Sequence, residues 1–170
     1  MPGALSDLRV VEMGQLLAGP FCGQLLADFG ADVIKIEPPG QGDPMREWGR
    51  EKSGGRSLWW PVVARGKRSV TLNLREPAGQ EIARRLIAEA DVLVENFRPG
   101  TLEKWGLDPA ELMVADPSLI VVRVSGYGQT GPYAARRSGS GRRPSARRGR
   151  APTSRVCRAE SSRRAHRPRR

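Results

Sequence analysis

One histidine, two cysteines and nine aromatic side chains are all that the 170 residues offer of those types. A lone histidine, His166, supports neither a histidine metal site nor a Ser–His catalytic pair. Cys22 and Cys157 make neither a disulfide framework nor a thiolate cluster. Cys22 lies on the apolar side of a helical pattern, which reads as a structural thiol and not as a nucleophile. No apolar run approaches the roughly 20 residues that span a bilayer. The N-terminal "MPGALSDLR" lacks the charged-then-apolar order of a signal peptide, and a strand follows too soon for a transit peptide. The expected compartment is cytoplasmic, with no membrane partner and no metal.

Charge is present but unevenly placed. Residues 1–135 hold 15 Lys and Arg against 17 Asp and Glu, a net of −2. Residues 136–170 hold 14 Arg and one acid, Glu160, a net of +13, so the basic character belongs to the tail. That tail has no Leu, Ile, Phe, Tyr, Trp or Met. It has too little apolar surface to offset its ordering entropy, and it reads as a disordered segment. The first part is long enough for one domain's core.

In residues 1–135, strands and helices alternate. Arg9–Met13, Asp32–Glu37, Ser69–Leu74, Asp91–Asn96 and Leu119–Gly126 are short β-branched runs that read as strands. Gly19-Pro20 opens a helix whose Cys22, Leu25, Leu26 and Phe29 predict a buried face, closed by Gly30. Pro77 starts a helix to about Ala90, with Ile82, Leu86 and Ile87 facing inward. Asp108-Pro109 with Glu111 has the form of a helix start. Ser57–Val63 fits either element. The pattern predicts an α/β fold, a Rossmann-like, mainly parallel sheet with flanking helices.

Such a sheet binds ligands beyond the carboxyl ends of its strands. The segments there are "GQLLAGP", "EPPGQGD", "NLREP", "ENFRPG" and "SGYGQTGP". A dinucleotide reading would place Glu37 on a ribose, but "MGQLLAGPFCG" lacks the tight G-x-G-x-x-G spacing. Arg65, Lys67, Arg68 and Arg75 around one strand fit either a solvated edge or a grip on an anion. The arginine-rich tail has cationic density for phosphates but no aromatic platform for bases, so specific nucleic-acid recognition is not expected.

Four motifs in order carry a resemblance: "LLAGPFCGQLLADFGADVIKIEPPGQGDPMR", "GKRSVTLNL", "ADVLVENFRPGTLEKWGL" and "VSGYGQTGPYA". From about Leu8 to Ala135 the chain resembles the start of the family III CoA-transferases. That group includes formyl-CoA transferase, carnitine CoA-transferase and α-methylacyl-CoA racemase. The resemblance implies a coenzyme A site, with acyl-CoA and a small carboxylic acid as partners, and a parent that forms an interlocked homodimer. It implies backbone contacts to CoA from Leu17 and Ala18, with Pro38 beside the adenine. Leu72, Asn73, Leu74 and Arg75 would line the nucleotide. Asn96, Phe97 and Arg98 would form the next wall, and Lys104 a further cationic contact. At Leu17 and Pro38 other members carry polar or basic residues.

The implied chemistry is CoA transfer through an aspartyl-CoA thioester, with a carboxylate as nucleophile. The family's aspartate lies downstream of the GPYA-like motif, and this chain has no Asp after Asp116. Asp28, Asp32, Asp43, Asp91, Asp108 and Asp116 read instead as caps, turns and strand ends. No catalytic residue is assigned, and the chain is expected to be an inactive fragment. Two other readings stand beside the transferase. One is a racemase-type parent, whose His-Asp pair would fall where this chain has "RRSGSG". The other is a non-enzymatic basic nucleic-acid-binding protein that uses the tail.

The composition break falls inside a motif and not at a linker, and Arg, Ser, Gly, Pro and Ala are what G+C-rich codons yield out of phase. The tail is therefore read as a frame-shifted continuation. Sequencing the locus beyond Ala135 should show another frame that stays open and restores a glycine-aromatic step, then an aspartate. The absence of any open alternative frame there would refute it.

Overall fold

The computed structural model describes residues 3–136 and the pair Ala159–Glu160. Strand β1 (Arg9–Glu12) leads through helix α1 (Ala18–Asp28) to β2 (Asp32–Glu37). A short hairpin of β3 (Lys52–Ser53) and β4 (Arg56–Ser57) precedes the one-turn α2 (Trp60–Val63) and strand β5 (Lys67–Thr71). Then come α3 (Pro77–Ala88), β6 (Val92–Glu95), the one-turn α4 (Thr101–Lys104), α5 (Pro109–Ala115) and β7 (Ile120–Arg123). The pair β8 (Ala159–Glu160) closes the order.

The sheet runs β5-β2-β1-β6-β7-β8. The first five strands are parallel, with Val10 opposite both Val33 and Val92. β8 lies antiparallel on the outer edge of β7. This is the α/β sheet with flanking helices that the alternating pattern predicts. The rest of the reading of residues 136–170 as a disordered tail lies outside the described residues.

Val10 and Val11 are both fully buried, as in a central parallel strand covered on two faces. Adjacent strand residues point to opposite faces, so Val10 and Val11 enter different cores. Val10 joins Val33, Val92 and Val94, covered by Cys22 and Leu26 of α1. Val11 joins Ile36, Leu93 and Val121, covered by Ala83 and Ile87 of α3 and Leu102 of α4. After β5 the chain returns to the other side of β1, so the crossover direction reverses between β1 and β6.

Two predicted helix faces are corrected. The buried residues of α1 are Gly19, Pro20, Gly23 and Gln24, whereas Leu25 and Phe29 are 42% and 60% exposed. The helix lies too close to the sheet for large side chains: a Cβ on Gly23 would stand 2.3 Å from Glu12 Oε2. In α3 the inward line is Gly79, Ala83 and Ile87, spaced four apart, and Ile82 points outward. The helix starts match their sequence signals, with Pro77 in the first turn of α3 and the Asp108 carboxylate accepting from Ala110 N–H at 2.8 Å. The ambiguous Ser57–Val63 stretch contains the end of β4 and α2, since Pro61 fits a first helical turn.

Gly23→Ala should cost about 1–3 kcal/mol, because the added methyl meets a buried, ion-paired carboxylate. Urea unfolding followed by circular dichroism measures this. A change within about 0.5 kcal/mol, the scale of a neutral surface substitution, would mean that α1 does not pack on Glu12 as described.

Candidate functional site

At the carboxyl ends of β1 and β2 the structure buries two carboxylates and two ammonium groups together. Glu12, Lys35 and Asp43 are at most 1% exposed, and the Lys67 side chain is 2% exposed. Lys35 Nζ lies 2.6 Å from Glu12 Oε1 and 2.8 Å from Asp43 Oδ2, and donates to the Gly14 carbonyl at 2.8 Å. Lys67 Nζ donates to the other Glu12 oxygen and to the Pro20 carbonyl. Burial pushes the Lys67 ammonium below its ordinary pKa, against the upward pull of Glu12. Buried charges persist only when paired and hydrogen-bonded, and this set is neutral in sum.

Glu37, next along the same edge, is equally closed. Its Oε2 accepts from Arg46 Nε at 2.7 Å and from Asp43 N–H at 2.8 Å, and its Oε1 accepts from an Arg46 terminal nitrogen and from Ser69 Oγ. Burial would raise its pKa, but these donors outweigh it and hold the carboxyl at about 2. Both oxygens are occupied, so Glu37 has no acceptor to spare for a ribose.

Beyond these buried groups opens a cleft of about 360 Å³. The turn after β1 supplies Met13 and Gln15, β2 supplies Ile36 and Glu37, and the loop after β2 supplies Pro38 and Pro39. The segment after β5 supplies Leu72 to Arg75, the β6–α4 loop Phe97, and the end of α4 Trp105. Phe97 and Trp105 meet edge to face with ring centroids 5.1 Å apart. The cleft thus has an apolar, aromatic lining and polar groups at Gln15, Asn73 and Arg75.

Of the residues singled out in the sequence, Pro38, Leu72, Asn73, Leu74, Arg75 and Phe97 come together around this cleft. Leu17, Ala18, Asn96, Arg98 and Lys104 do not line it. Leu17 and Ala18 are exposed at the start of α1, and Arg98 and Lys104 are exposed beyond β6. Asn96 bonds to the peptide groups of Gln15 through both side-chain atoms. Gln15, Pro39 and Trp105 are cleft residues that sequence reasoning missed. Gln15 stands in the first strand-to-helix turn, so its place at a strand's carboxyl end was a usable signal.

The four cations around β5 divide. Arg65 binds Asp28, Lys67 binds Glu12 and Arg68 binds Asp32. Arg75 has no side-chain partner among the described residues. The anion-grip reading therefore narrows to Arg75, and the other three serve the fold. The six aspartates considered as nucleophiles are all engaged: Asp28, Asp32 and Asp43 with cations, Asp91 with Arg9 N–H, and Asp108 and Asp116 in local turns.

A parallel sheet whose crossover reverses beside a cleft at the strands' carboxyl ends defines an open, doubly wound α/β domain. The chain belongs to CoA-transferase family III, whose sequence model matches residues 5–149. That match continues past Ala135, where the four motifs end. Over 132 residues the chain is 64% identical to succinyl-CoA–D-citramalate CoA-transferase of Chloroflexus aurantiacus, covering 78% of this chain and 33% of that protein. It is 44% identical to acetyl-CoA:oxalate CoA-transferase of Acetobacter aceti, covering 78% and 34%. A crystal structure of a CaiB/BaiF family protein from Brucella suis superposes with a TM-score of 0.74 at 46% identity, covering 81% of this chain and 37% of that one. The chain spans about a third of the length of the curated relatives it matches.

Glu37 sets an acid-side prediction. Its folded pKa of about 2 lies below the ordinary 4.5. Its ionised form therefore stabilises the fold above pH 4.5, and that contribution disappears as pH falls from 4.5 towards 2. Glu95, raised by burial despite Arg123 and the Phe97 N–H, has the opposite sign, and it is present in the unaltered chain and in a Glu37→Gln variant alike. Urea unfolding across this range should show Glu37→Gln with a flatter stability profile than the unaltered chain, the gap at neutral pH being about 3 kcal/mol. Parallel profiles would refute the assignment.

Proposed function

We propose that this chain is the nucleotide-binding part of an acyl-CoA:carboxylic acid CoA-transferase, and that the cleft holds the nucleotide end of coenzyme A. The observation that carries the reading is Arg75, a cation without a side-chain partner among the described residues, lining the cleft with Pro38 and Phe97. Pro38 and Phe97 offer apolar surface to a purine, and Leu72 to Arg75 offer peptide groups beside it. A guanidinium binds phosphate by charge-assisted hydrogen bonds. Arg98 and Lys104, both exposed on the β6–α4 side, would meet the outer phosphates, and Leu17 and Ala18 would contribute main-chain contacts at the start of α1.

The parent reaction moves CoA from an acyl-CoA to a free carboxylate through an aspartyl-CoA thioester, in the cytoplasm, in an interlocked homodimer. Relatives named as transferases of succinyl-CoA and acetyl-CoA favour this over the racemase. The reacting aspartate is not among Asp28 to Asp116, so this chain by itself binds without turning over.

Trp105 in the cleft gives a direct readout. Titration with CoA should quench tryptophan fluorescence, and Trp105→Phe should abolish most of that signal. Arg75→Ala should weaken CoA binding about tenfold, the scale of one lost charge-assisted hydrogen bond. No quench at millimolar CoA, or equal affinity in Arg75→Ala, would overturn the placement.

A further inference from the structure

The turn that follows β1 is gripped by side chains from three other segments. Asn96 Oδ1 accepts from Gln15 N–H at 2.7 Å, and Asn96 Nδ2 donates to the Gln15 carbonyl at 2.8 Å. Asp43 Oδ1 accepts from Leu16 N–H at 3.0 Å. Lys35 holds the Gly14 carbonyl. Two consecutive peptide groups, from the Gly14 carbonyl to the Leu16 N–H, thus have all four of their polar atoms fixed by residues distant in sequence.

The grip has a conformational purpose. Leu16 has φ of 62°, a positive φ found at no other non-glycine among the described residues. That left-handed conformation brings the Cβ of an L-residue close to the following carbonyl oxygen and is disfavoured, so the turn would not hold it unaided. The packing is equally tight. A Cβ on Gly14 would stand 2.8 Å from Gly19 Cα and 3.0 Å from Asn96 Oδ1. The two glycines let the start of α1 and the Asn96 amide close on the turn. Gln15, whose main chain is held in this way, lines the cleft.

We propose that Asn96 and Asp43 are positioning residues. They preform the Gly14–Leu16 turn so that Gln15 is set at the cleft before ligand arrives, and Asn96 spends its amide on the Gln15 peptide groups instead of on the ligand. The role of the cleft rests on the CoA reading above; the grip on the turn does not.

The test combines a ligand-free measurement with a binding measurement on the full chain. In Asn96→Ala, hydrogen exchange at the Gln15 and Leu16 amides should quicken at least about tenfold, the scale of one lost hydrogen bond. Amides of β1 and β2 should keep their rates. CoA affinity should fall by a similar factor. Arg75→Ala should lower affinity and leave the Gln15 and Leu16 amides unchanged, which separates positioning from contact. If Asn96→Ala opens the whole sheet, Asn96→Asp is read instead. It keeps the acceptor for Gln15 N–H and loses the donor to the Gln15 carbonyl, so exchange should quicken at Leu16, which shares that peptide plane.

Unchanged exchange at both amides overturns the grip. Faster exchange with unchanged CoA affinity overturns the positioning role. Failure of the unaltered chain to bind CoA counts against the proposed function, and the exchange measurement still decides the grip.

Discussion

The buried set of Glu12, Lys35, Asp43 and Lys67 is the constraint from which the site follows. Each charge would be costly alone in a dry interior, and removing one would strand its partner. The four must therefore stay together, and they come from β1, β2, the loop after β2 and the start of β5. Their pairing ties the loop after β1 to the loop after β2 at one end of the sheet. It also dictates the packing of α1. Glu12 reaches under that helix, so position 23 has no room for a side chain, and the helix meets the sheet through glycines and proline.

This arrangement explains which parts of the fold were legible. β-branched runs separated by proline and glycine marked the parallel strands, because such strands are apolar on both faces. The face of α1 was not legible, since periodicity counts large apolar residues and this helix buries its small ones. Lys35 and Glu12 looked like ordinary strand charges. Only their neighbours across the sheet, 23 residues apart in sequence, turn them into a buried pair. The four-residue α4 and the two-residue strands β3 and β4 are too short to show a period.

The site was legible where it rests on topology. Strand ends with glycine or proline point to the cleft, and Pro38, Leu72 to Arg75 and Phe97 gather there. It was not legible where one residue type supports two roles. An asparagine beside a cleft reads as a ligand contact, yet Asn96 matches the donor and acceptor of a single residue's main chain. Likewise Arg65, Lys67, Arg68 and Arg75 were equivalent as letters, and the positions of Asp28, Glu12 and Asp32 separate three of them from the fourth.

The same accounting of partners bears on the chemistry. A nucleophilic carboxylate needs an oxygen exposed to the thioester. Asp43 is buried between Lys35 and two main-chain N–H groups. Asp28 and Asp32 are held by bidentate arginines, and Asp91, Asp108 and Asp116 secure main-chain turns and strand ends. Freeing any of these for covalent work would unpair a cation or open a cap. At the cleft wall, by contrast, Arg75 has no side-chain partner among the described residues, while Phe97 and Trp105 pack against the core and also line the cleft. The acidic side chains at this end of the sheet, Glu12, Glu37 and Asp43, are thus consumed in fixing the strand ends and loops around the cleft.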